Sequence, residues 1–153
     1  MLLTRRALLL AGASLPLAAP ALAQASRRVH VLKDPNCECC TAWVDHLRAA
    51  GFEVDVEEIH AGLLAVRKAE LGVPLALQSC HTGETEGYVL EGHVPAADIG
   101  RLLAERPGAL GLAVPGMPYG SPGMGPETER EAYEVILFRD DGSTEMWASY
   151  EAA

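Results

Sequence analysis

The chain predicts an α/β fold, a mixed sheet flanked by helices, with a Gly/Pro/Met-rich loop and a C-terminal β-hairpin. Three observations carry that expectation. Apolar residues in the first half switch between strand-like alternation and helical spacing, and a C-x-x-C pair stands at the first strand-to-helix junction. Near the C-terminal end, two alternating stretches flank a turn-forming Asp-Asp-Gly-Ser.

Val29 to Leu32 is a short, mostly apolar strand, and Lys33-Asp34-Pro35-Asn36 has the composition of a turn. Trp43, Val44, Leu47 and Ala50 recur at helical spacing over Thr41 to Ala50, and Gly51 supplies the stop. Phe52, Val54, Val56 and Ile59 begin as an alternation with Glu53, Asp55 and Glu57, the pattern of a half-buried strand. Leu63, Leu64, Val66, Ala69 and Leu71 outline a second helix that Gly72 ends. Val73 to Leu77 opens a third strand running toward Ser79-Cys80-His81-Thr82, and Gly83 to Gly87 reads as a turn. Tyr88 to His93 is a fourth strand. Pro95 suits the first turn of a third helix with Ile99, Leu102 and Leu103 inward, ended before Pro107. Pro107 to Pro126 is too rich in Gly and Pro for a regular element, and long ordered loops of this kind are often functional. Glu134–Arg139 and Thr144–Ser149 pair across residues 140–143 as a hairpin.

The chain has 153 residues and a formal net charge of −9. Residues 1–23 read as an export signal: basic Arg5 and Arg6, an apolar run from Ala7 to Leu17, and Ala21-Leu22-Ala23 as a small-x-small cleavage site. Arg5-Arg6 also fits the twin-arginine route, so both export routes stay open. Cleavage before Gln24 leaves residues 24–153, about 130 residues, as one domain in the periplasm. Pro16 and Pro20 break the apolar run and argue against a retained anchor, so no membrane insertion is expected after cleavage. Basic residues are nowhere clustered, which argues against nucleic acid and anionic membrane as partners.

The chemistry concentrates in Asn36-Cys37-Glu38-Cys39-Cys40-Thr41-Ala42-Trp43, which holds three of the four cysteines. On a first helical turn Cys37 and Cys40 can point the same way, and the helix N-terminus favours thiolate over thiol. Adjacent Cys39 and Cys40 sit too close for an ordinary disulfide. A structural disulfide between Cys37 and Cys40, or from either to Cys80, is one reading. The other adds Cys80 to the cluster. Four sulfurs suit Cu(I), with thiolates bridging several ions, while zinc sites usually draw cysteines in two well-spaced pairs. Pure disulfide chemistry, with Cys37 as nucleophile and Cys40 as resolving thiol, would make the protein a thiol–disulfide oxidoreductase. The extra thiols of Cys39 and Cys80 argue against that, since they invite wrong pairings. Met117 and Met124 are thioether candidates for the same ion. Trp43 is expected to pack in the first helix, and His30, His46 and His60 to be structural.

The strand–helix–strand–helix–strand–strand–helix order, with C-x-x-C at the first junction, is that of thioredoxin-like proteins. Pro74 falls where those proteins keep a cis-proline facing the cysteines, and the isomer stays open. Four motifs then agree in order: Cys37-x-Cys39-Cys40-x-x-Trp43, Ser79-Cys80-His81-Thr82, Gly87 to Pro95, and Pro115-Gly116-Met117-Pro118-x-Gly120-Ser121-Pro122-Gly123-Met124. Together they resemble the domain-of-unknown-function-411 family, exported metal-binding proteins that include the CopG-like copper-resistance proteins. The resemblance implies a thioredoxin-like fold and copper held by cysteine, with other copper-handling proteins of the envelope as partners. His81 and His93 enter as candidate ligands because they lie inside these motifs; Gly92 beside His93 also permits close backbone approach. Gly125 departs from the acidic residue expected after the second Gly-Met.

Overall fold

The computed structural model describes residues 27–153; the export signal expected over residues 1–23 lies outside them. The elements run β1 (Arg28–Lys33), α1 (Glu38–Ala49), β2 (Glu53–Glu58), α2 (Ala61–Glu70), β3 (His81–Thr85), β4 (Tyr88–Glu91), α3 (Ala96–Glu105), β5 (Gly111–Ala113), β6 (Tyr133–Phe138) and β7 (Thr144–Tyr150). Among the described residues the strands form one seven-stranded sheet in the order β2-β1-β3-β4-β5-β6-β7. β1 pairs with β2 in parallel, as does β4 with β5, and the other neighbours are antiparallel. Parallel neighbours need a crossover, which α1 and α3 supply. The expected α/β class and C-terminal hairpin are both present, the hairpin with a bulge at Val135/Ile136.

Strand alternation sorts the apolar side chains onto two faces. Val29, Val31, Leu90, Leu112, Val135 and Leu137 meet Trp43, Val44 and Leu47 of α1 and Ile99, Leu102 and Leu103 of α3 in the larger core. Val73, Val89, Ala113 and Phe138 form a smaller core with Leu71, Leu77 and Leu110. The helix α2 buries a narrow stripe, Leu64 and Lys68. Leu63 and Val66, two of the apolar residues that outline this helix in the sequence, are 53% and 51% exposed.

The third strand begins later than the sequence suggests. Pro74 has no N–H to give a ladder, and Leu77 N donates to Pro74 O at 2.8 Å, closing a 3₁₀ turn over Leu75–Leu77. β3 instead runs through Gly83, which the sequence places in a turn. A side chain at Gly83 would press on Val29 at 3.2 Å and on the Trp43 ring at 3.4 Å, so the glycine makes room for the tryptophan. The turn itself is Glu86-Gly87, with φ of 45° and 87°, as a two-residue hairpin requires. No peptide bond among the described residues is cis, so Pro74 is trans.

The loop over 107–126 also hides a strand. β5 is three residues long, too short for periodicity to show, and lies against β4. A Cβ at Gly111 would fall inside the Val89 carbonyl, so only glycine permits this pairing.

Candidate metal centre

The site begins where β1 ends. Lys33 is buried and donates to Glu58 at 2.9 Å. Asp34 then shapes the turn by accepting from Asn36 N at 2.9 Å and from Ala61 N at 3.1 Å. Those bonds, the one from Asn36 N first, hold its carboxyl below the ordinary range. Cys37 N donates back to Asp34 O at 3.0 Å, which leaves Cys37 extended (φ −82°, ψ 94°) as the residue before α1. No side chain caps the helix there, so the free N–H groups of its first turn face the cysteines.

Cys37 and Cys40 are joined as a disulfide across that turn, with Cα atoms 5.3 Å apart. Cys39 and Cys80 are free. Cys39 Sγ lies 3.5 Å from Cys37 Sγ and 3.8 Å from Cys80 Sγ. All four sulfurs fall within 4.8 Å of one another. Cys80, just before β3, also lies 3.3 Å from His81 Nδ1 and 3.2 Å from His93 Nε2. Those three residues make a second group within the same 4.8 Å span. Cys80 is the member common to both.

Both histidines are fully buried. His93 Nδ1 lies 2.7 Å from Pro122 O. A carbonyl only accepts, so Nδ1 carries the hydrogen and Nε2 turns a lone pair toward Cys80. This fixed tautomer is how a metal-ligating imidazole is usually oriented. The His81 ring lies 4.3 Å from Trp43 and 4.9 Å from His93, and its Nε2 has no hydrogen-bond partner. Burial lowers the pKa of both imidazoles, and for His81 the charges of His93 and Lys68 add to the effect. Both are therefore neutral at pH 7, the form that binds metal. Burial, aided by Cys39, pushes the Cys80 thiol up to about 12, so it holds its proton at neutral pH.

Two glycines let the backbone close around these groups. Gly92 has φ +71°, and a Cβ there would lie 2.6 Å from Ser79 Cβ and 2.7 Å from Val114 O. Its missing side chain lets Ser79-Cys80 lie against the end of β4. Gly123 has φ +87°, and a Cβ there would lie 2.7 Å from Trp43 N and 2.9 Å from Cys39 O. The Gly/Pro/Met loop thus rests on the first turn of α1. Met124 follows Gly123 and is partly buried, whereas Met117 is 53% exposed. Trp43 is fully buried and donates from Nε1 to Val94 O at 2.8 Å, tying α1 to the segment after His93.

The remaining histidines have the structural roles expected. His30 pairs with Asp55 at 3.0 Å, His46 accepts from Ala96 N at 3.1 Å, and His60 accepts from Gly62 N at 3.2 Å at the start of α2. The sequence did not reveal a buried network beside Cys80. Lys68 of α2 bonds the carboxylate of Glu91, which also accepts from Ser79 N at 2.6 Å and Thr82 Oγ1 at 2.7 Å. Burial lowers the Lys68 pKa and raises that of Glu91, while their mutual attraction opposes both shifts. The available signal was a lysine standing four residues after Leu64 and three before Leu71, in the apolar register of the helix.

Comparison with known proteins places this arrangement. A family model described as "Protein of unknown function, DUF411" matches residues 77–124, the stretch holding Cys80, His81, His93, Met117 and Met124. No curated protein sequence matches the chain. A solved structure described as copper resistance protein CopG, form 1, is similar with 43% identity and a TM-score of 0.76. The match covers 82% of this chain and 98% of that one. The form 2 structure gives 45% identity and a TM-score of 0.74, over 80% of this chain and 97% of that one. At that identity and coverage the chain belongs to the DUF411 family, together with the CopG copper resistance proteins.

Proposed function

We propose that the protein binds copper in the cell envelope and sequesters, carries or redox-buffers it, in copper resistance or homeostasis. The single observation that carries this reading is the convergence on Cys80 of the other three cysteine sulfurs and two neutral imidazoles. Thiolate and imidazole are the donors a copper site draws on, and four clustered sulfurs favour Cu(I). With Cys37–Cys40 reduced by a dithiol, which takes two electrons and two protons from that dithiol, Cys37, Cys39, Cys40 and Cys80 can hold Cu(I). Such a set would bridge more than one ion. His81 and His93 would complete it from the buried side, with Met124 and Met117 as thioether candidates in the covering loop. Binding at Cys80 must displace its proton. The copper-resistance names of the solved relatives support the same cargo.

The test is a Cu(I) titration of the reduced mature protein without oxygen, with metal analysis and a thiol count. Bound copper should survive gel filtration in the parent and be lost from the Cys37→Ser/Cys40→Ser variant. Equal retention by that variant would refute a cysteine site. The envelope location rests on residues 1–23, and mass spectrometry of the native protein should find a new N-terminus near Gln24.

A second reading, a periplasmic thiol–disulfide oxidoreductase, is favoured by the Cys37–Cys40 disulfide at a helix start. A substrate thiolate would attack Cys37 Sγ and release Cys40, and a second substrate thiol would then free Cys37, leaving the substrate as a disulfide. Turnover comparable to a thioredoxin in an insulin-reduction assay, without copper binding, would give this reading the advantage.

A further inference from the structure

We propose that the buried Lys68–Glu91 pair is a positioning device for Cys80. Its consequence for copper rests on the copper-binding reading above; its geometry does not.

β3 begins at His81, so no strand pairing holds Ser79 and Cys80 in place. Gly92 N donates to His81 O at 3.1 Å, and on the Ser79 side of that bond a side chain takes over. Glu91 Oε1 accepts from Ser79 N at 2.6 Å, and Glu91 Oε2 accepts from Thr82 Oγ1 at 2.7 Å. One carboxylate therefore grips the chain on both sides of Cys80-His81. Lys68 reaches in from α2 to the same carboxylate and donates to Thr82 Oγ1 at 2.8 Å. The Ser79 hydroxyl bonds Gly116 O, beside Met117, so α2, β4 and the loop all meet at the residue before Cys80.

Stability alone is a poor reason for this arrangement. Glu91 is fully buried and Lys68 is 4% exposed, and apolar residues of similar volume usually serve a core as well as a buried ion pair or better. What an apolar pair cannot do is accept the Ser79 N–H. Cys80 belongs to both donor groups, so a small shift there separates the cysteines of α1 from the imidazoles of the sheet.

The test compares two double variants of the full chain. Lys68→Met/Glu91→Leu removes the clamp, whereas Lys68→Met/Glu91→Gln keeps an amide oxygen for Ser79 N–H while removing both charges. Alkylation of the copper-free protein by iodoacetamide is followed by peptide mass spectrometry, which separates Cys80 adducts from Cys39 adducts. The Leu variant should alkylate Cys80 roughly tenfold faster, and the Gln variant at close to the parent rate. Competitive Cu(I) titration should show the Leu variant about tenfold weaker and the Gln variant near the parent. Parent-like Cys80 reactivity in both variants would overturn the proposal, as would equal acceleration in both that tracks a loss of thermal stability. Where the Leu variant does not fold, the nearly isosteric Thr82→Val decides, since it removes the two bonds of the Thr82 hydroxyl, to Glu91 and from Lys68, and leaves the bond from Ser79 N to Glu91. Faster Cys80 alkylation in Thr82→Val supports the clamp, and the parent rate refutes it. Should the parent itself bind no Cu(I), the functional reading fails while the alkylation comparison still decides the clamp.

Discussion

The two halves of the site are held in opposite ways. Cys37, Cys39 and Cys40 sit within a single helical turn, and a short range of chain sets their spacing. Two of them are locked to each other, and Cys37 and Cys39 are only partly buried. Cys80, His81 and His93 come from β3 and the end of β4, and the two imidazoles are fully buried. Pro122, Trp43 and the Lys68–Glu91 network hold this second half from four separate parts of the chain. The difference suggests a division of labour, in which the helical half can change its bonding while the sheet half keeps a fixed set of donors. Side chains whose rotamers are locked by packing and by supporting hydrogen bonds keep a donor set oriented.

The sharpest way to break the comparison is to remove one half at a time. Cys37→Ser/Cys40→Ser should abolish tight Cu(I) binding, read by metal analysis after gel filtration, while the apolar core keeps the fold. Cys80→Ser should lower the copper-to-protein ratio and change the Cu(I)–thiolate absorption, with circular dichroism of the copper-free protein unchanged. A Cys80 variant with parent copper content and spectrum would remove Cys80 from the site and leave the four-sulfur model without support.

Gly123→Ala tests whether the loop seals the helical half. The new Cβ would meet Trp43 N and Cys39 O at a φ that L side chains rarely adopt. We expect a loss of about 1–3 kcal/mol in urea unfolding and faster alkylation of Cys39. Unchanged Cys39 reactivity at reduced stability would mean that the loop braces the fold without covering the thiol.

The last expected effect is a dependence on pH. Burial lowers the pKa of His81 and His93 in the folded state, whereas the unfolded chain protonates them near pH 6.5. Their contribution to stability is present above that unfolded pKa and is lost as pH falls from it toward the folded values. Each imidazole adds a slope of up to about 1.4 kcal/mol per pH unit in that window. The disulfide-bonded cysteines add none. Urea unfolding of the copper-free protein at pH 7.5 and pH 5.5 should show lower stability at the acid end. Equal stability would mean that the imidazoles are not held neutral.

Much of this molecule follows from the sequence because it depends on near neighbours. The first strand and helix, the alternating second strand, the C-terminal hairpin and the clustering of Cys37, Cys39 and Cys40 are set by spacings of a few residues, and all were readable. The tertiary structure alone decided where β3 begins, because Pro74 gives up its ladder bond and Gly83 is needed under Trp43. It also decided that three residues at Gly111 become a strand, since that depends on a parallel partner reached through α3. The burial of Lys68 is of the same kind: a lysine is solvated unless a distant carboxylate meets it, and only the sheet brings Glu91 there. The meeting of Cys80 with Cys39, 41 positions away, is likewise a property of strand order, because chain spacing carries no information about which strands become neighbours.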